Sequence, residues 1–256
     1  MRAVLVTLLL LTTTANAEPW YRGKYGSNRL LHFSIAAVGG IVAPFTARFE
    51  YGIDCRWCGG PNEVDRTMRS ALMWTEANQD RAADISDLTT YVAVPTLSVA
   101  LVLAGTLDTV PSTAAIIDDV VPIAETVVVT ALINRGLKIG FARTRPYAHF
   151  TDERDPSEDN VSFPSAHTSQ AFALATSAAM IARARNYKSE PYIWVGGMTL
   201  AATAGYLRIA ADRHYFTDVL CGAALGVSAG LTVPWLMRRE IEVVPTAKGV
   251  AFAGVW

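Results

Sequence analysis

"LTTYVAVPTLSVALVLAGTL", residues 88–107, is a run of 20 residues without a formal charge, bounded by Asp87 and Asp108. Wound as a helix at about 1.5 Å per residue it extends about 30 Å, enough to cross the hydrocarbon core of a bilayer. Further apolar stretches lie at Leu30–Ala47, Val120–Leu137, Thr168–Ala182, Pro191–Leu207 and Val219–Met237, parted by charged connectors. The fold expected from this pattern is all-α: a helical bundle of about six core helices, membrane-embedded. The alternation around Lys248-Gly249 adds a short C-terminal hairpin. Some stretches are marginal as membrane spans. Thr168–Ala182 holds 15 residues, and Val120–Leu137 carries Glu125, Asn134 and Arg135, so a soluble bundle with buried helices stays open.

Composition leans toward a helical protein that is buried or membrane-embedded. Of 256 residues 51% are hydrophobic and 18% charged, against about 25% charged in an average soluble domain. A formal net charge of −1 leaves no basic footprint, so no nucleic-acid partner is expected. Arg2, the apolar Leu8–Leu11 and Ala15-Asn16-Ala17 have the layout of an export signal, with cleavage after Ala17; a retained anchor is the alternative. The expected organisation is a signal peptide over 1–17, an N-terminal segment of interfacial or packing helices over 18–87, a helical core over 88–237 and a tail over 238–256. Arg183, Arg185 and Lys188, with Arg238 and Arg239, put those ends of the helices on the cytoplasmic side if they span. The segments Arg145–His167 and Arg208–Asp218 then face the outside. Leu30–Ala47, interrupted by Gly39, Gly40 and Pro44, lies in the interface or against the bundle. Val64, Met68, Leu72 and Met73 recur at helical spacing and read as a packing face. Export permits a Cys55–Cys58 disulfide, although a redox pair fits the spacing equally; a lone C-x-x-C is too little for zinc. Cys221 reads as a buried apolar thiol.

Three clusters carry chemistry. In "KIGFARTRPY" (138–147), Lys138, Arg143 and Arg145 aim cations at one pocket as a helix gives way before Pro146. In "FPSAHTSQAF" (163–172), Ser165 is a natural helix cap, and the N–H groups of Ala166 and His167 point beyond it, as at anion-binding helix starts. In "LRIAADRHYFTDV" (207–219), Arg208 offers a planar donor fork, and Asp218, four residues after His214 on one helical face, is placed to orient that imidazole. Each alone has a plain structural explanation: a solvated helix end, a capping histidine, an acid in a first turn. The acidic "TDERDPSEDN" (151–160) lacks calcium-loop spacing and reads as a solvated loop near an entrance.

Together these residues resemble the type 2 phosphatidic acid phosphatase and vanadium haloperoxidase superfamily. Its pattern is Lys, six residues, Arg-Pro; Pro-Ser-Gly-His; and Ser-Arg, five residues, His, three residues, Asp. Here it is matched by Lys138 to Arg145-Pro146, by Pro164-Ser165-Ala166-His167, and by Leu207-Arg208 to His214 and Asp218. Ala166 replaces the motif glycine and Leu207 the serine. The resemblance implies a metal-independent, cofactor-free phosphatase acting on a phosphomonoester or pyrophosphate of a lipid. In it His214 is the nucleophile that becomes phosphohistidine, Asp218 orients it, and His167 protonates the leaving oxygen. Lys138, Arg145, Ser165, Ala166 and Arg208 bind the phosphoryl group. The expected partners are a phosphorylated lipid and the membrane, with oligomeric state left open, and the active site faces the periplasm or outer face. A soluble periplasmic acid phosphatase, a vanadium-dependent haloperoxidase and a non-enzymatic membrane scaffold are the alternatives.

Overall fold

The computed structural model describes residues 29–46, 52–237, 241–246 and 249–254. The expected signal peptide, Arg238, Arg239 and Lys248 lie outside these residues. The main helices are α1 (Arg29–Thr46), α2 (Glu63–Leu72), α3 (Glu76–Leu88), α4 (Val94–Thr109), α5 (Thr113–Phe141), α6 (Pro146–Phe150), α7 (Ala166–Arg185), α8 (Met198–Ala210) and α9 (Phe216–Met237). Antiparallel strands β1 (Ile241–Thr246) and β2 (Gly249–Gly254) close the chain. A π-helical turn, Thr89–Ala93, joins α3 to α4, so that Glu76–Thr109 is one run of 34 residues. This run and α9 are both long and apolar enough to cross a membrane.

The bundle is organised around α7, which packs against α9, α5, α8 and α4. Its sequence explains the position. Ala171, Ala173, Ala175, Ala178, Ala179 and Ala182 are buried, and side chains this small let neighbouring backbones approach. From the other side α9 offers Gly222, Gly226 and Gly230, one row of residues four apart. A Cβ on Gly226 would stand 2.4 Å from the Ser169 carbonyl oxygen, and one on Gly222 2.7 Å from that of Ser165. Along α3 and α4, too, burial recurs every fourth residue, at Ala82, Ser86, Thr90, Val94, Ser98, Val102 and Thr106.

Several details depart from the sequence expectation. Gly39, Gly40 and Pro44 do not interrupt α1, which runs through them and packs on α5, where Gly39 comes so close to Val128 that a Cβ would overlap it. On α2 the buried residue is Asp65, whereas Val64 is exposed: an ionic partner described below outweighs the apolar periodicity. Cys221 is exposed, because α9 buries its glycine edge and turns the neighbouring position outward. Arg185 is not a connector cation. It is buried at the end of α7 and donates to Asp119 at 2.8 Å; Tyr187 and Thr106 donate to the same carboxylate at 2.6 and 2.7 Å. Arg183, in the last turn of α7, and Lys188, in the connector, are exposed.

The glycine edge gives a test. Gly226→Ala is expected to cost about 1–3 kcal/mol through overpacking. Gly136→Ala, in α5, where a Cβ meets nothing within 4 Å, is expected to be neutral or to stabilise by about 0.5–1 kcal/mol. Thermal unfolding of the two variants beside wild type checks the contrast.

Candidate functional site

At one end of the bundle α5 and α8 finish and α7 and α9 begin, and the three motifs meet there. Lys138 lies in the last turn of α5. The helix stops because Ala142 takes a left-handed conformation at φ 41°, which turns the chain toward Arg143 and Arg145. Arg145 precedes the short α6; its N–H donates to the Asp159 carbonyl oxygen at 2.7 Å and its Nε to that of Glu158 at 2.9 Å. The acidic loop is thus more than a solvated entrance: its backbone clasps an arginine of the site. Ser165 caps α7, accepting from the Thr168 hydroxyl at 2.9 Å and more distantly from the Thr168 N–H at 3.5 Å. Ala166 opens the helix and is absent from the positive-φ residues, so the methyl in place of the motif glycine causes no backbone strain. Leu207, in place of the motif serine, packs with Ala82, Ala210 and Ala211.

His214 is not on a helix with Asp218. It sits in the turn after α8, where Asp212 takes φ 56° and the His214 N–H donates to the Arg208 carbonyl oxygen at 3.2 Å; α9 begins at Phe216. Asp218, in the first turn of α9, reaches back to accept the Tyr215 N–H at 2.9 Å, as in a capping box. Its Oδ2 stands 3.7 Å from His214 Nδ1, beyond a hydrogen bond, and that nitrogen has no hydrogen-bond partner. The expected orienting bond is therefore not made; the Asp218 oxygens are taken up by Ser162 at 2.6 Å, the Tyr215 N–H and Arg143 at 2.5 Å.

Arg143 is the residue whose direction the sequence misassigned. It does not join the cations of the pocket: one arm goes to Asp218 and the other to Asp65 at 2.7 Å, and its guanidinium lies between the rings of Trp57 and Tyr215, 4.2 and 4.1 Å from their centroids. Asp65 also accepts the Thr217 N–H at 2.9 Å and hydroxyl at 2.8 Å. Trp57 is presented by the loop that the Cys55–Cys58 disulfide closes. The N–H groups of Arg56 and Trp57 donate to the Ala142 carbonyl oxygen at 3.1 and 3.3 Å.

Lys138, Arg145, Arg208 and His214 are all at most 6% exposed, so their charges act in a poorly screened space. Burial first, and then repulsion from Arg145, Arg208, Lys138 and His167, holds the His214 imidazole well below its ordinary pKa. Burial likewise drives His167 down to about 4, against the opposing pull of Asp87. Arg208 is lowered to about 10 by burial and by Arg145. Asp87, which lies outside the three motifs, accepts from His167 Nε2 at 2.7 Å and from Arg208 at 3.3 Å. Its signal was only its place as the last charge before an apolar run. Tyr91, one helical turn on, sets its ring against His167 with 5.2 Å between centroids.

Residues 119–242, which carry all three motifs, match the model of the PAP2 superfamily, so the resemblance noted in the sequence is borne out. A lipid A 1-phosphatase from Porphyromonas gingivalis is 37% identical over 105 residues, 41% of this chain and 20% of that protein. The match thus spans a fifth of the curated relative's length. Among solved structures, a transmembrane PAP2-type phosphatidylglycerolphosphate phosphatase from Bacillus subtilis superposes with a TM-score of 0.51 at 19% identity, covering 79% of this chain and 96% of that one. Aquifex aeolicus LpxE gives a TM-score of 0.46 at 22% identity, covering 67% and 92%.

Removing one member of a buried ion network leaves the others uncompensated. Arg143→Ala and Asp65→Ala are each expected to cost about 3–5 kcal/mol. Arg143→Lys recovers a part at most, since an ammonium is not a planar fork that bridges two carboxylates. Chemical denaturation checks this series. A second expectation concerns acid. Both histidines are neutral in the folded state but take up protons near pH 6.5 once unfolded, so stability falls as pH drops below about 6.5. His214→Gln is expected to flatten that fall in melting curves between pH 7.5 and 5.

Proposed function

We propose that the protein is a phosphatase that hydrolyses a phosphomonoester or pyrophosphate of a lipid, without a metal, through a phosphohistidine intermediate. The observation that carries this is the convergence of buried cations and two neutral imidazoles at the start of α7, with the buried Arg208 Nε and His214 Nδ1 lacking hydrogen-bond partners. Such a set suits a tetrahedral anion. Phosphoryl transfer needs in-line positioning and neutralisation of charge spread over three oxygens, and fixed cations with helix-start N–H groups supply both.

In this mechanism Lys138, Arg145 and Arg208 take the phosphoryl oxygens, together with Ser165 and the N–H groups of Ala166 and His167. His214, uncharged and turned so that Nδ1 faces Asp218, attacks phosphorus through Nε2. The N–P bond forms as the P–O bond to the leaving group breaks, and His167 gives its proton to the departing oxygen. The cation that develops on His214 draws the Nδ1–H onto Asp218, closing the 3.7 Å separation. His167 then takes a proton from water, whose oxygen displaces His214 and releases orthophosphate. Burial and nearby cations by themselves keep His167 neutral. The substrate's negative charge reverses that balance, so the acid is charged when it is needed.

Several observations support a lipid substrate and an outward-facing site. Tyr91, against His167, and its exposed neighbours Leu88 and Val92 on the 34-residue run offer an apolar approach. The relative and the structural neighbour are described as acting on lipid A and on phosphatidylglycerolphosphate, respectively. The disulfide loop docks at the same end as the site, as suits an oxidising compartment, and the exposed Arg183, in the last turn of α7, and Lys188, just past it, lie at the opposite end of that helix.

The test is phosphate release in chelator from diacylglycerol phosphate, undecaprenyl pyrophosphate, lipid A and a chromogenic monoester. Wild type is expected to turn over a lipid substrate, and His214→Ala to lose activity by at least about a thousandfold. The pH profile of kcat is expected to be a bell whose alkaline limb, set by protonated His167, disappears in His167→Ala. A requirement for added divalent metal, or an unchanged bell in that variant, overturns the mechanism.

A further inference from the structure

Asp87 belongs to none of the three motifs, yet its carboxylate stands where the substrate's anion has to go. A single oxygen, Oδ1, receives both His167 Nε2 at 2.7 Å and the Arg208 guanidinium at 3.3 Å. These are the proton donor and one of the oxygen-binding cations of the proposed reaction, which face the leaving oxygen and a phosphoryl oxygen of the same substrate group and are here joined on one acceptor. Arg208 is buried and its Nε has no hydrogen-bond partner, so Asp87 fills only part of the guanidinium's capacity.

Asp87 differs from the other acids near the site. Asp218 and Asp65 are fully buried and held by several donors each, whereas the Asp87 side chain is 52% exposed. It projects from the last turn of α3, just before the π-helical turn Thr89–Ala93 that carries Tyr91 to the edge of His167. Single-turn π segments inside helices often accompany functional sites. A half-exposed carboxylate on two rotatable bonds can leave its partners for water at little cost, which a buried one cannot.

We propose that Asp87 is a displaceable internal anion: it occupies His167 and Arg208 between turnovers, yields them to the substrate's phosphoryl group, and takes them back as orthophosphate leaves. The proposal rests on the phosphatase reading of the site and adds a step to it. Between turnovers the carboxylate keeps the two donors aimed at one point and limits mutual repulsion among Arg208, Lys138 and Arg145. On product release it competes with orthophosphate for the same donors. Asp87 is in this sense a positioning residue that acts through His167 and Arg208. Its removal strengthens the binding of any small phosphate-like anion and slows the departure of product.

The experiment measures inhibition by inorganic phosphate and by orthovanadate, together with kcat and KM on one lipid substrate, for wild type, Asp87→Asn, Asp87→Ala and Asp87→Glu. Both neutral variants are expected to bind phosphate and vanadate roughly threefold to tenfold more tightly, in line with the loss of one partly screened charge. In both, KM and kcat fall together; Asp87→Glu stays within about twofold of wild type. A role confined to holding the fold predicts instead lower thermal stability and weaker anion binding. Unchanged or weakened inhibition in both neutral variants, with wild type active, overturns the proposal. A wild type that neither turns over substrate nor binds either anion overturns the phosphatase reading itself.

Discussion

A guanidinium withdrawn from water has to be neutralised where it lies, and at Arg143 that need ties together segments far apart in the chain. Its two carboxylate partners come from α2 and α9, its ring partners from the disulfide loop and the turn before α9, and its own backbone from the exit of α5. No member can move without leaving another charge uncompensated in a poorly polarisable surrounding. The backbone answers to the same constraint: the Ser165 N–H donates to the Asp218 carbonyl oxygen at 3.0 Å and the Ser162 N–H to that of Arg143 at 3.0 Å. Through these bonds the α9 start, the α7 cap and the turn after α5 hold one another in place. The residues assigned to phosphate in the proposed reaction stand on those three ends and on the end of α8.

The site also shows how like charges are kept together in a folded chain. Lys138, Arg145 and Arg208 are buried at one end of a bundle, which by itself is unfavourable. Backbone carbonyls of the acidic loop, the Glu158 carboxylate at 3.4 Å from Arg145, and Asp87 soften the repulsion without abolishing it. Such a cluster favours negative charge near the first turn of α7, where backbone N–H groups share the same preference.

Local chemistry was legible in the sequence; partnership was not. Ser165 as a cap, the end of α5 before Pro146 and the apolar stretches follow from rules that act within a few residues, and they hold in the structure. The three motifs were legible because their residue types and spacings are unusual together. Asp65 and Val64 show the limit. Helical periodicity pointed to the valine, but the decisive partner of this helix face, Arg143, lies 78 residues along the chain and its pull is ionic. Asp87 looked like punctuation before an apolar run because its partners stand on other helices. His214 and Asp218 were four apart as expected, yet the helix began two residues after the histidine, so the spacing was right and the geometry implied by it was not. The glycine row of α9 had a pattern in the sequence, but its meaning depends on a neighbouring backbone that no local rule supplies.

The far end of the bundle carries a last implication. Val102, Ile123, Ile181 and Ile193 fill it, and Asp119 clasps Arg185 and Tyr187 across it, so among the described residues that end is plugged by fat and fastened by charge. Side chains packed in this way offer no passage between them. Under the proposed reaction, both the dephosphorylated alcohol and the orthophosphate leave by the rim at which the substrate arrived, and the inorganic product is shed on that same side instead of being carried across.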